Sequence, residues 1–179
     1  MKLLFMVLSL GMMPIGPWAQ RAATPAPVLI EKYKVGNVVI GASAEGIYET
    51  LSPERRRLVD LGHEGQLSPA LQLTIAGASQ PFSVIAELGC EQGLVVSRIF
   101  IRDPAFRTAK GVGVGSTVRE LRSAYALRSF STEEGSAGVV VDALSATFEL
   151  DQAGVDLSKV KAATELPESV KIVGILLWK

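Results

Sequence analysis

Thr108-Ala109-Lys110-Gly111-Val112-Gly113-Val114-Gly115-Ser116-Thr117-Val118-Arg119-Glu120-Leu121-Arg122-Ser123-Ala124-Tyr125 is the stretch that decides the fold. Glycines punctuate a strand-like lead, and Thr117 and Glu120 then have the spacing of a capping box. Leu121 and Tyr125 fall one helical turn apart, so one face of the helix is apolar. A looser copy lies 74 residues upstream: Val38-Val39-Ile40-Gly41-Ala42-Ser43, followed by Ile47 and Leu51. There Ser43 is the N-cap. In both copies a strand-like lead runs into Gly, a small residue, a hydroxyl cap and an apolar pair. Val38 with Val112 and Gly41 with Gly115 are the outright matches.

Strand signals follow each copy. Arg55–Leu61, Leu71–Ala76, Phe82–Leu88 and Leu94–Ile101 are rich in Leu, Val, Ile and Phe and bounded by turn residues. After the second helix come Gly138–Asp142, Leu144–Leu150, a short helical turn near Leu157–Ala163, and Lys171–Trp178. The last is apolar on both faces, as an interior strand would be. The pattern predicts an α+β fold with an antiparallel sheet packed by helices. Its two similar units are residues 28–101 and 102–179, either separate or one continuous domain.

The Gly-rich motif, from Thr108 to Tyr125, resembles a recurring element of secreted bacterial proteins with no established activity. It is also similar to the helix-and-sheet repeat of β-lactamase-inhibitor-like proteins and of small outer-membrane assembly lipoproteins. The resemblance spans residues 36–51 and 93–150 and implies an envelope-located binding module. It transfers no catalytic residue, because the matching positions are caps and core. The lipoprotein pattern also has a lipidated cysteine that this chain lacks.

The N-terminus agrees with an exported protein. Lys2 precedes an apolar run from Leu3 to Met13, then Pro14, Gly16, Pro17 and Ala19. This is the order of a secretory signal, expected over residues 1–19, with a flexible leader over 20–27. Roughly 20 apolar residues are needed to span a bilayer, so no membrane anchor is expected after processing. Cleavage removes Lys2, one of the 18 basic residues, and keeps all 18 acidic ones. The resulting near-neutral chain has no basic stripe, which argues against nucleic acid as a partner.

Residues with chemical potential are few. Cys90 is the lone cysteine and His63 the lone histidine. One of each argues against a zinc site, and catalysis would need them brought together by folding. Glu133 and Glu134 are adjacent acids in a polar loop. The glycine run lacks the lysine of a phosphate-binding loop, since Gly115 stands before Ser116, and it lacks the dinucleotide spacing. No catalytic residue, cofactor or metal is therefore expected. Arg102, Phe106 and Arg107 place an aromatic between two arginines in a loop, the composition of an interface anchor. The cluster Glu54-Arg55-Arg56-Arg57 reads as a solvated charge run. The expected role is non-enzymatic binding of a protein or envelope component. A hydrolase assembled from separate loops and an apolar-ligand carrier are the alternatives.

Overall fold

The computed structural model describes residues 28–63, 66–74, 82–89, 93–133 and 136–179. In chain order, β1 (Val28–Glu31), β2 (Lys34–Val35) and β3 (Val38–Val39) make a small meander before α1 (Ala44–Thr50). A 3-10 turn at Pro53–Arg55 leads into β4 (Arg56–His63), β5 (Gln66–Leu73), β6 (Phe82–Gly89) and β7 (Gly93–Ile101). Next are β8 (Phe106–Thr108), α2 (Val118–Ala124), β9 (Phe130–Glu133), β10 (Ser136–Val141) and β11 (Ala146–Leu150). Two 3-10 turns, Leu157–Lys159 and Ala163–Glu165, precede β12 (Ile172–Trp178).

Eight strands form one antiparallel sheet in the order β4-β5-β6-β7-β12-β11-β10-β9. A second sheet, β3-β2-β1-β8, is closed by the parallel pairing of β1 with β8. The fold is α+β, as the sequence pattern predicts. Each helix is followed by a four-strand meander, and the two meanders meet along β7 and β12.

The 74-residue offset carries through to the backbone. The spans of α1 and α2 differ by that offset at both ends, and so do their N-caps, Ser43 and Thr117. Gly41 and Gly115 both take left-handed φ, +93° and +87°, which a side chain would strain. Gly41 N–H donates to Val96 C=O (2.7 Å) and Val96 N–H to Ala42 C=O (2.9 Å). Gly115 N–H donates likewise to Ile172 C=O (2.7 Å), and Ile172 N–H to Ser116 C=O (2.8 Å). Each helix lead-in is thus clipped to the last strand of its own meander.

Those last strands pair about a local two-fold. Ile101 faces Ile175, Ile99 faces Leu177, and Phe100 faces Leu176 at the midpoint. Alternation sends Ile99, Ile101, Ile175 and Leu177 into the core with Leu73, Val139, Val141 and Phe148. Above them lie Ile30, Val35 and Val38 of the small sheet, Val118 and Leu121 of α2, and Leu157, Leu166 and Val170 from the β11–β12 connection. Burying each Leu, Ile or Phe contributes about 1.5–3 kcal/mol, so this layer is the main source of stability.

Several boundaries differ from expectation. β5 starts at Gln66 and ends at Leu73, so it contains Pro69. Thr74 N–H donates to Arg55 C=O (2.8 Å), which sets the ladder phase: Arg55, Arg57 and Val59 turn their backbone groups toward β5. Pro69, opposite Asp60, then has its ring nitrogen on the far side, just outside the β6 ladder that begins at Ala70. The proline therefore costs no ladder bond. Leu144 lies in a turn, with β11 starting at Ala146. β8 and β9 are additional strands: β8 occupies part of the expected 102–107 loop, and β9 is four residues with exposed Ser131 and Thr132.

Candidate functional site

The helices and the small sheet pack on one face of the large sheet. On the opposite, outer face, Phe100 is buried with Ala70, and Val59 and Leu176 pack partly buried against them. The cluster straddles the two-fold between β7 and β12. Trp178 stands half-buried on the same face as Leu176, and its Nε1–H donates to Thr147 Oγ1 (3.1 Å). Charged and polar pairs fringe the cluster. Arg57 donates to Gln72 Oε1 (3.1 Å), and Arg102 pairs with Glu149 (3.3 Å). Gly174 lies opposite Glu149, where a Cβ would collide with that carboxylate; its hydrogen side chain lets Glu149 lie across the strand. The outer face thus carries a small apolar cluster with polar pairs beside it.

The three residues singled out in the sequence do not share a surface. Arg102 is exposed on the outer face. Phe106 is fully buried in the core, so it is no surface anchor. The alternation explains this: Phe106 and Thr108 of β8 point inward, and Arg107 between them is only half-buried. Arg107 Nη1 donates to Ser116 Oγ (3.1 Å), which also accepts from Gly113 N–H (3.2 Å). Arg107 therefore clamps the glycine-rich loop. Nearby, Asp103 is buried and its Oδ1 accepts from Ala105 N–H (2.7 Å).

Other polar residues act as caps. Glu120 Oε2 accepts from Thr117 N–H (2.6 Å) while Thr117 Oγ1 accepts from Glu120 N–H (3.3 Å), a complete capping box. The Thr117 N–H foremost, and then the Thr117 hydroxyl donating to the same Oε2 (3.0 Å), hold the Glu120 carboxyl below its ordinary range. Hydrogen bonds from Ser52 and Ser158 do the same for Glu54 and Asp156. Arg122 Nη2 donates to the carbonyls of Ala163, Thr164 and Leu166 at 3.1–3.3 Å, fastening the β11–β12 connection onto α2. Carboxylates held ionised in this way suit structural roles better than proton donation.

Sequence reasoning missed one pairing. Among the described residues, Tyr33 and Ser145 are the non-glycine residues with positive φ, +61° and +48°, and their side chains meet. A hydrogen bond with Ser145 is the main cause lowering the Tyr33 phenol from its usual value, with Lys32 adding to it. The contact ties the β1–β2 hairpin to the β10–β11 turn, and no sequence motif announces it.

His63 ends β4, paired in register with Gln66, and Glu133 ends β9; the side chains of both fall outside the described residues, as do Cys90 and Glu134. Among the described residues no group of three or more His, Cys, Asp and Glu could hold a metal ion. No helix among them is long and apolar enough to cross a membrane. A groove of about 440 Å³ opens between α1 and the small sheet, with Val28, Val38, Ile47 and Leu51 among its walls and Asn37 and Arg55 as polar members.

No family model and no curated protein matches the chain. Among solved structures the chain is similar to the uncharacterized protein yfeY from Escherichia coli, with a TM-score of 0.53 and 13% sequence identity. The match covers 86% of this chain and 99% of that one, so what the two share is a fold.

Proposed function

We propose that this chain is an exported, non-enzymatic binding module that engages a protein of the cell envelope through the outer face of its large sheet. The observation that carries this reading is the half-buried pair Leu176 and Trp178, supported from beneath by buried Phe100, with paired arginines and polar residues beside them. Trp and Arg are enriched among the few residues that carry most of the energy of protein recognition. The signal-like order of residues 1–19 supports export, and the motif's likeness to secreted binding modules supports an envelope partner.

Site-specific photocrosslinking in intact cells tests this. A crosslinker at Leu176 or Trp178 is expected to give a discrete adduct with an extracytoplasmic protein, whereas one at Leu29, exposed on the small sheet, gives none. Adducts at Leu29 alone, or a chain retained uncleaved in the cytoplasm, would overturn the reading. The groove beside α1 favours a second reading, carriage of a small apolar ligand. In that case Leu51→Arg would abolish binding of an apolar fluorescent probe, and a Leu176 substitution would leave it unchanged.

A further inference from the structure

The two edges of the large sheet are unlike. β9 is four residues long, and Arg128 N–H and Ser129 C=O both bond to Val140, a bulge that spoils the edge. β4 is eight residues long, and among the described residues its only strand partner is β5. The ladder phase that turns Arg55, Arg57 and Val59 toward β5 turns the N–H and C=O groups of Leu58 and Asp60 outward, together with the Arg56 C=O, while the Arg56 N–H donates to Pro53 C=O. Leu58 sits in the middle of this row and is 71% exposed, the most exposed large apolar side chain in the described structure. Arg56 stacks over the Tyr48 ring of α1 (3.7 Å), which places the side chains of Arg56, Leu58 and Asp60 on the helix face of the sheet.

This row complements itself. Consider a second copy laid antiparallel along β4 with Leu58 opposite Leu58. Arg56 then falls opposite Asp60 of the other copy, and Asp60 opposite its Arg56, with each Asp60 N–H facing an Arg56 C=O and the two Leu58 residues exchanging both backbone bonds. Cross-strand pairs of opposite charge and of apolar groups are the favourable ones. Centring the pair on Arg56, Arg57 or Asp60 instead sets like charges opposite each other, and centring it on Val59 leaves Asp60 against Leu58. We infer that β4 is a homodimerisation edge, joining two copies by antiparallel β4–β4 pairing centred on Leu58 into one continuous sixteen-stranded sheet. A C2 contact needs this kind of self-complementary patch. The inference is independent of the outer-face reading, because a β4 contact leaves Leu176 and Trp178 uncovered.

Light scattering or sedimentation over a concentration series reads the result. The wild-type mass is expected to rise twofold with concentration. Asp60→Arg sets Arg56 against an arginine, and Arg56→Asp sets Asp60 against an aspartate, so each variant alone is monomeric. Mixing the two variants restores both opposite-charge pairs, and the mass doubles again. Leu58→Lys, at a side chain already in solvent, also abolishes the dimer, and thermal melts confirm that every variant is folded. A wild-type protein that stays monomeric throughout would overturn the inference. So would a dimer that survives Asp60→Arg, or single variants that stay monomeric when mixed.

Discussion

The two helices occupy equivalent places in the chain, yet one is sealed and the other is not. Val118 and Leu121 of α2 are fully buried, whereas Ala44 and Ile47 at the corresponding positions of α1 are only half-buried. α2 has a complete capping box; in α1 the N3 position is Gly46, and Ser43 accepts one exposed bond from it (3.3 Å). The cause lies outside the helices. Between β11 and β12 the chain inserts residues 151–171, which lay Leu157, Leu166 and Val170 over the core beside α2. In the first half β6 turns directly into β7, only Cys90, Glu91 and Gln92 intervening, and the groove beside α1 remains. Two units of like order thus differ, one helix sealed and the other beside an open groove, in the length of a single connection.

The sharpest way to break this contrast is paired truncation. Leu121→Ala is expected to cost about 2–5 kcal/mol of unfolding free energy, and Ile47→Ala about 1 kcal/mol or less. Equal losses in urea melts would mean that α1 is as firmly packed as α2. A second change narrows the contrast instead. Gly46→Glu adds the missing member of the capping box where a Cβ meets only Ser43 at 3.8 Å. It should stabilise the protein by about 1 kcal/mol and slow amide exchange in α1.

The smallest effect is at the sealed helix's cap. Thr117→Ala should cost about 1 kcal/mol at neutral pH. Glu120 also gives this cap a pH dependence. Its folded pKa is depressed, so its contribution is present above the unfolded value and is lost as pH falls through the folded one. Stability curves of wild type and Glu120→Gln should therefore draw together in acid, and curves that stay parallel would remove the Glu120 charge from the account.

The helices were legible because caps are local: Ser43, Thr117 and Glu120 announce their roles within four residues. The long apolar strands were legible for a similar reason. β9 was hidden because Ser131 and Thr132 face solvent on an edge, where no hydrophobic period is imposed. Phe106 was misplaced because Arg-Asp-Pro-Ala before it has the composition of a loop, although the inward pair Phe106 and Thr108 is a period-two signal. The outer-face cluster joins Val59 and Ala70 to Phe100 and Leu176, and only the strand order brings them together. The apolar double face of Lys171–Trp178 marked an interior strand without revealing that Leu176 and Trp178, on its outer face, are only half-buried.

β12 sits at the middle of the sheet and is the last strand in sequence. A growing chain can form β1 to β7 and still leave the far edge of β7 without its neighbour until Trp178 has been added. Pairing Phe100 with Leu176 is a contact of high sequence separation, the kind that slows folding most. Joining the two half-sheets is therefore a late, long-range step, and until it occurs β7 and β12 both present open edges to other chains.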